Sequence, residues 1–560
     1  MKDVDKLRSL KALDKALLEA RSYWEPDWES LSKIFRARRL RYVERESRKG
    51  TGSLRKDILD GTGVRAIKTL GAGMHGGMTS PARPWFRLTL ANTDLARARG
   101  VKEWLNDTET RMRALFARSN FYAAIAKFYQ ILCTFGTAFM FCHADQRAGL
   151  RFDTLAMGSF ALDIDETDRV DTICRTMDMT AKNIVQMFGI ENVSEQVRLA
   201  YNKSETSRQE FKVKHIIIPN ADRDPFYRNN LNMPYASYYF EAGSHEQKFL
   251  RKSGYQMFPG IGVRWEADAG EVYGLSPAMD CLGDGRMLQS VRATYLKQEH
   301  KRADPPMAHP FGMTHLDTLP GGINAVHNNG NTTQAVYPIQ NVSPDTRGIL
   351  EITRDVRQAI REGLYNDLFK MIAMSQNRQK TATEVAQMHE EKLLLLGPVL
   401  DRLHSEGFTP LIDRAFQVMW DQDMLAPPPE EIQEEPMKVE YTSILAQAQK
   451  MVATGAVDQF MGSIGSYSQI MPELLDVPNP DAIADGLAEY LGIEAKMLRS
   501  KDERDTLRKQ RTQKVELAQS AELAQSAAGT AQTLANTPMG KGDTDALNEL
   551  LNNLGNGAAS

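Results

Sequence analysis

From residue 344 to 373 apolar side chains return every third or fourth position: Ile349, Ile352, Val356, Ile360, Leu364, Leu368 and Ile372. That spacing gathers one stripe on one face and predicts a single amphipathic helix. About thirty residues at roughly 1.5 Å each make a rod on the order of 45 Å. Ser343-Pro344 opens it as N-cap and first-turn proline, and Ser276-Pro277 opens an earlier helix over about 277–302. Gly283 and Gly285 weaken the first turns of that earlier helix, and Asp304-Pro305-Pro306 stops it. The intervening 304–343 is rich in Pro, Gly and Asn with short β-like pieces, so the pair reads as a stalk with an irregular tip.

Elsewhere the period changes. Residues 1–80 read mostly as helix, 85–90 as extended, and about 95–133 as helix again. From 134 to 265 the alternation shortens to two, with strands expected at GTAFMFC (136–142), GLRFDTL (149–155), SFALDID (159–165), KVKHIIIP (212–219) and ASYYFEAG (236–243), and a helix around 181–202. Past the stalk, MSQNRQK (374–380) is polar and aperiodic. Thr381-Ala382-Thr383-Glu384 is then a capping box that starts a helix bound to kink at Gly397-Pro398. MKVEYTS (437–443) reads as a returning strand and 443–516 as helix. The repeats ELAQSA (516–521 and 522–527) read as frayed helix and the last thirty residues as mostly disordered. The fold class expected is α+β, mainly helical.

Composition narrows this little. The 560 residues, 42% hydrophobic and 25% charged, suffice for two to four domains with real cores. A net charge of −3 removes any whole-chain attraction for nucleic acid, so such contact must be local. Cys133, Cys142, Cys174 and Cys281 fit neither a paired CxxC spacing nor a disulfide scaffold and read as buried free thiols. The charged, helical start is no signal peptide, and no run of eighteen apolar residues offers a membrane span, so the product is expected to be soluble and intracellular when made.

Candidate chemistry is thin. Gly71-x-Gly73-x-x-Gly76 mimics a dinucleotide turn, but its lead-in has helical spacing and Pro81 and Pro84 forbid the helix that must follow. The glycines are expected to let a helix end pack tightly and turn into a Pro-rich linker. No phosphate loop and no H-E-x-x-H motif occur; His389-Glu390 stands alone, and Ser463 in GSIGS lacks a nucleophile elbow. Asp163, Asp165, Asp168 and Asp171 at a hairpin read as a solvated turn, with cation binding as the alternative. No catalytic residue, metal site or cofactor is therefore expected. Two basic stretches remain. One runs from Lys33 to Lys49 with Arg36, Arg38, Arg39, Arg41 and Arg45 as a candidate contact face. Glu44 and Glu46 dilute it, and a solvated helix or an inter-subunit salt-bridge face is an equal reading. The other is Gln376-Asn377-Arg378-Gln379-Lys380, whose amides and cations can slide along phosphates without reading bases, with an ordinary helix–helix connection as the alternative.

Four stretches in order resemble one family: LDGTGVRAIKTLGAGMHGGMTSPARPWFRL (59–88), YGLSPAMDCLGDGRMLQ (273–289) with ADPP (303–306), TATEVAQMHEEKLLLLGPVLDRLHSEGFTPLIDRAF (381–416) and AEYLGIEAKMLRSKDERDTLRKQR (488–511). Across about residues 10–515 the chain is similar to the head-to-tail connecting, or portal, protein of short-tailed double-stranded DNA bacteriophages. After 441 it departs, with TSILAQAQK where that family often has a Pro-Leu-Ala turn. The resemblance implies a structural protein, not an enzyme: a homo-oligomeric ring, dodecameric in the family, at one capsid vertex of the virion. Double-stranded DNA would pass through it during packaging and ejection. Residues 1–270 would form the wing, 271–303 and 344–373 the stem, and 304–343 the clip. Residues 374–380 would form the tunnel loop, 381–442 a kinked helix returning to the wing, 443–516 the crown and 517–560 a tail. The clip, with Pro305, Pro306, His309, Phe311, His315 and Tyr337 as its candidate docking residues, would meet the terminase large subunit and later the tail adaptor. Major capsid and scaffolding proteins would be further partners, with no membrane. A non-ring DNA- or scaffold-binding adaptor and a nucleic-acid enzyme are the competing readings.

Overall fold

The computed structural model describes residues 2–36, 58–92, 98–203, 206–224, 226–227, 229–244, 248–308, 337–338, 346–375, 396–432, 437–442, 460–467, 477–490 and 501–535, with a few single positions between them. Two compact units divide it, Met1–Asn479 and Pro480–Ser560.

The first unit opens with α1 (Lys2–Ser22) and α2 (Glu25–Phe35). Pro26 and the acidic Glu25 and Asp27 suit the free amides and positive end of α2's first turn, and its apolar spacing buries Trp28, Leu31 and Phe35. The glycine-rich stretch forms the last two turns of α3 (Thr62–Met78), which ends just ahead of Pro81 as expected. A Cβ on Gly71 would lie 2.9 Å from Cγ of Gln130, one on Gly73 would lie 2.3 Å from the Phe369 ring, and Gly76 faces open space. Two of the three glycines thus let neighbouring helices approach. Beyond the prolines, β1 (Phe86–Leu90) pairs antiparallel with a strand far along the chain, β12 (Met437–Tyr441), with Leu88 opposite Val439. Both strands fall where their alternation predicts.

Helices α4 (Arg99–Arg118) and α5 (Phe121–Phe135) follow. Gly136 ends α5 in the left-handed region at φ 77°, and a Cβ there would sit 2.0 Å from the Gly274 carbonyl oxygen. Next come β2 (Thr137–Asp145), β3 (Gly149–Thr154), β4 (Phe160–Ile164), β5 (Val170–Thr180), β6 (Glu210–Pro219), β7 (Tyr235–Glu241), β8 (Arg251–Tyr255) and β9 (Gly260–Arg264). Among the described residues they form a three-stranded sheet ordered β3-β2-β9 and a five-stranded antiparallel sheet ordered β4-β5-β6-β7-β8. Strands β5, β8 and β9 escape the sequence reading. RKSGY is a polar stretch, and in GIGVR the two glycines lower strand propensity because they sit beneath Phe139 and Val170. The expected helix at 181–202 divides at Gly189 (φ 85°) into α6 (Ala181–Phe188) and α7 (Glu195–Asn202), capped by Thr180 and Ser194. The pleat sends alternate side chains of the larger sheet two ways: Cys174, Ile216 and Phe240 onto Leu7, Leu10 and Leu17 of α1, and Val213 and Tyr239 onto Ile184 and Phe188 of α6. All four cysteines are buried and free.

The stalk is less continuous than its stripe suggests. A short helix, α8 (Pro277–Asp280), is capped by Ser276, whose Oγ accepts from Met279 N at 3.1 Å; the chain breaks at Cys281 and resumes as α9 (Leu282–Ala303). β10 (Met307–Ala308) and β11 (Tyr337–Pro338) form a short ribbon. The return is two helices, α10 (Thr346–Gly363) and α11 (Asn366–Ser375), not one rod. The chain turns at Leu364-Tyr365, with Tyr365 at φ 52°, because Leu364 and Leu368 are fully buried and Phe369 must reach the bare backbone of Gly73.

The kink expected at Gly397-Pro398 involves residues before 396 that lie outside the described ones. The irregularity seen is one turn later. α12 (Gly397–Arg402) widens into a π-helical turn, Leu403–Phe408, before α13 (Thr409–Asp421). Pro410 explains it: its nitrogen has no proton to give the carbonyl four residues back, so the ladder shifts register ahead of it. In the second unit, α14 (Pro480–Tyr490) and α15 (Lys501–Ala535) are joined by Arg508, whose guanidinium donates to both Asp481 carboxylate oxygens at 2.5 and 2.7 Å. Both ELAQSA repeats are helical within α15. Of the last thirty residues, expected to be mostly disordered, 531–535 continue α15 as helix, and 536–560 lie outside the described residues.

Candidate stem and channel surfaces

Of the residues singled out from sequence, Gln376, Asn377, Arg378, Gln379 and Lys380 lie outside the described residues, as do Arg38, Arg39, Arg41, Arg45, His309, Phe311 and His315. Arg36 is described. Its Nη1 donates to the Gln130 carbonyl at 3.4 Å, its guanidinium lies over the Phe135 ring at 6.0 Å, and burial lowers its pKa to about 10. It therefore packs on α5 within the chain. Pro305 is half-buried and Pro306 exposed, just past the end of α9, and the backbone of Tyr337 pairs with that of Ala308.

The long helices are seated on one acidic residue. Asp60, 4% exposed, precedes α3. Its Oδ1 accepts from Thr62 N at 2.9 Å and Thr62 Oγ1 at 2.6 Å; its Oδ2 accepts from Arg357 Nε at 3.0 Å and Arg357 Nη2 at 2.6 Å. Arg292 Nε of α9 lies 3.8 Å from the same Oδ2. Gln289 binds the backbone beneath: Oε1 accepts from Leu59 N at 2.8 Å and Asp60 N at 3.0 Å, and Nε2 donates to Asp60 O at 2.8 Å. Burial resists ionisation of Asp60, but the bonds from Thr62 and Arg357 outweigh it and hold the carboxyl below its ordinary range. A depressed carboxyl contributes stability above its unfolded pKa, and that contribution is lost as pH falls through the folded value. The clasp should therefore hold at neutral pH and weaken only below about pH 4, a point that amide exchange of 282–303 and 346–363, corrected for intrinsic rates, checks.

Among the described residues the pair also carries exposed apolar and basic side chains. Among the described residues Gly285 and Leu288 are the buried positions of α9, and α10 buries Thr353, Val356 and Ile360. Met287 (46% exposed), Leu296 (38%), Leu350 (42%) and Ile352 (43%) face outward. Arg286, Lys297, Lys301, Arg302, Arg354 and Arg361 are exposed on the same two helices.

A second brace ties the π-helical turn to the sheets. Buried Arg264 of β9 donates from Nη2 to Glu406 Oε1 at 2.7 Å and from Nη1 to Glu271 O at 2.7 Å, and also reaches the Asp168 carbonyl. Arg402 Nη1 and Nη2 donate to Ala267 O at 3.2 Å, beside a cavity of about 380 Å³. The acidic hairpin is a capped turn: Asp165 Oδ1 accepts from Thr167 N at 2.8 Å and Arg169 N at 2.9 Å. Among the described residues no cluster of His, Cys, Asp or Glu is arranged to hold a metal, and no helix is long and apolar enough to cross a membrane. Sequence reasoning passed over Asp60, Gln289, Arg292 and Arg357. Asp60 was legible as an acid directly ahead of a helix start, but its partners lie more than two hundred residues away and carry no local pattern.

Comparison with known proteins fits this frame. Residues 7–498 match the model of the bacteriophage head to tail connecting protein family. The chain is 39% identical over 526 residues to the probable portal protein of Bordetella phage BPP-1, covering 93% of this chain and 94% of that one. It is 35% identical over 562 residues to the portal protein of Salmonella phage epsilon15, covering 99% of each. A solved structure titled as the neck of an empty GTA particle aligns with 72% of this chain and 86% of its own at 12% identity, with a TM-score of 0.35, too slight a likeness to argue from. With agreement running nearly end to end through the body, the clasped helices and the returning strand, this chain belongs to the bacteriophage head to tail connecting proteins.

Proposed function

We propose that this chain works as a phage portal: copies of it form a ring at the head–tail junction of the virion, and double-stranded DNA passes through the ring. The observation that carries the reading is the bare stalk. Two long helices leave Met287, Leu296, Leu350 and Ile352 in water, although a soluble protein gains about 25 cal/mol for each Å² of apolar surface it covers. A head-to-tail ring covers one face of each stalk with the opposite face of the next copy. The exposed cations of α9 and α10 suit a passage that guides phosphates without reading bases. In this reading residues 1–270 are the wing, 271–303 and 344–373 the stem, 304–343 the clip and 374–380 the tunnel loop, with 381–442 leading back to the wing. Residues 443–516 are the crown and 517–560 the tail. Ring size is taken as twelve, the clip meets the terminase large subunit and then the tail adaptor, and capsid and scaffolding proteins surround the wing.

Imaging the purified protein by negative stain, viewed down the ring axis, tests this: closed rings are expected, and a monodisperse 62.8 kDa monomer in native mass measurement would overturn it. Within a ring, Arg378→Ala with Lys380→Ala is expected to leave assembly intact while lowering packaged or retained DNA by about tenfold, the order of loss expected for two phosphate contacts. Unchanged genome content per particle would remove those residues from the channel.

A further inference from the structure

We propose that Asp60 is a positioning residue with two alternative partners, Arg357 on α10 and Arg292 on α9, and that this shared carboxylate sets how the stem pair leans on the body.

Three observations carry it. First, both stem helices are interrupted at the same level. α9 starts anew after Cys281, α10 ends at Gly363, and a Cβ on Gly363 would lie 2.5 Å from Cys281 Sγ, so the two breaks are in contact. A pair of helices broken side by side can tilt there without straining its own hydrogen bonds. Second, the clasp grips the stem side of those breaks, at Gln289 and Arg292 on α9 and Arg357 on α10. It therefore acts across the hinge. Third, the two arginines are not equivalent. Arg357 makes two short bonds to Oδ2, whereas the Nε of Arg292 is buried, has no hydrogen-bond partner, and waits 3.8 Å from that oxygen. A buried N–H without a partner is costly, and a small slide of the stem would satisfy it at the expense of Arg357. Gln289 holds the backbone of residues 59 and 60 in both arrangements, so α9 keeps its footing while the carboxylate changes hands. A second seating on Arg292, less favoured than the one on Arg357, would let the stalk lean with no change in the sheets. Its meaning for DNA passage rests on the portal reading; the exchange of partners does not.

The test compares Asp60→Asn, Arg292→Gln, Arg357→Gln and the double arginine variant in full-length protein, reading amide exchange of 282–303 and 346–363 against the sheet at 137–264. Asp60→Asn and the double variant are expected to speed stem exchange by tenfold or more while the sheet stays protected: the first removes the charge that both arginines share, and the second strands the buried carboxylate. Arg292→Gln should be close to the parent and Arg357→Gln intermediate, because Arg292 takes over the carboxylate. Arg357→Gln matching Asp60→Asn by itself would overturn the second partner. Equal acceleration in stem and sheet, or none in the stem, would overturn the positioning role. Arg357→Lys, which keeps the charge, should restore most stem protection and guards against reading a misfolded variant. Absence of rings for the unmutated protein in micrographs would defeat the portal reading while leaving the exchange comparison intact.

Discussion

Trp85→Ala is expected to lower the unfolding free energy of the first unit by about 3–5 kcal/mol, the range for deleting a buried aromatic ring. Trp85 is 1% exposed at the entry to β1. Its ring centroid lies 4.6 Å from Phe86, 5.9 Å from Phe121, 6.0 Å from Phe116 and 5.5 Å from Phe408. Those rings come from β1, α4, α5 and the π-helical turn, so the cavity would open where four elements converge and where none can move inward without dragging a strand. Domains of this kind hold only about 5–15 kcal/mol in all, so the loss would be a large fraction. Urea titration followed by far-ultraviolet dichroism at one fixed protein concentration measures it. A loss under about 1 kcal/mol would mean that the rings close over the gap.

Glu406→Ala should be comparably severe for a different reason. Arg264 is 2% exposed, and removing Glu406 leaves its guanidinium with the carbonyls of Glu271 and Asp168 but no counter-charge. Removing one partner of a buried pair costs about 3–5 kcal/mol, most of it the stranded charge. The double variant Arg264→Met with Glu406→Leu should recover most of that loss, since neither charge then remains. Thermal unfolding of the parent and the three variants decides it. If the double variant is as unstable as the sum of the singles, the damage is to packing around the π-helical turn and not to the ion pair.

The elements that sequence revealed are those with an apolar pattern of their own. The stripe on 349–372 holds the buried Val356, Ile360, Leu364 and Leu368, and KVKHIIIP holds the buried Val213, Ile216 and Ile217, so local pattern located them. The break at Leu364-Tyr365 did not show, because Leu364 and Leu368 continue the stripe across it; what bends the chain is a glycine in α3 nearly three hundred residues earlier. Strand β9 hid for a related reason: its glycines are bare so that Phe139 and Val170 can lie on them, which is a property of the neighbours. The glycines of α3 show in sequence as packing devices at a helix end, because the helix does stop two residues after Gly76, ahead of the prolines. Asp60 shows the same limit at the site: an acidic residue before a helix has many uses, and only the fold brings two arginines to it.

The pairing of β1 with β12 also governs when the protein can finish forming. Phe86–Leu90 meets its ladder partner only after Met437–Tyr441 has been translated. Roughly 350 residues separate them, about 20–70 s of synthesis at ~5–20 residues per second. Throughout that interval the first strand lacks its ladder partner and the aromatic rings beside it lack Phe408. Late closure delays completion of the body until the stalk has been synthesised, and until then it leaves that edge open to pairing with other chains.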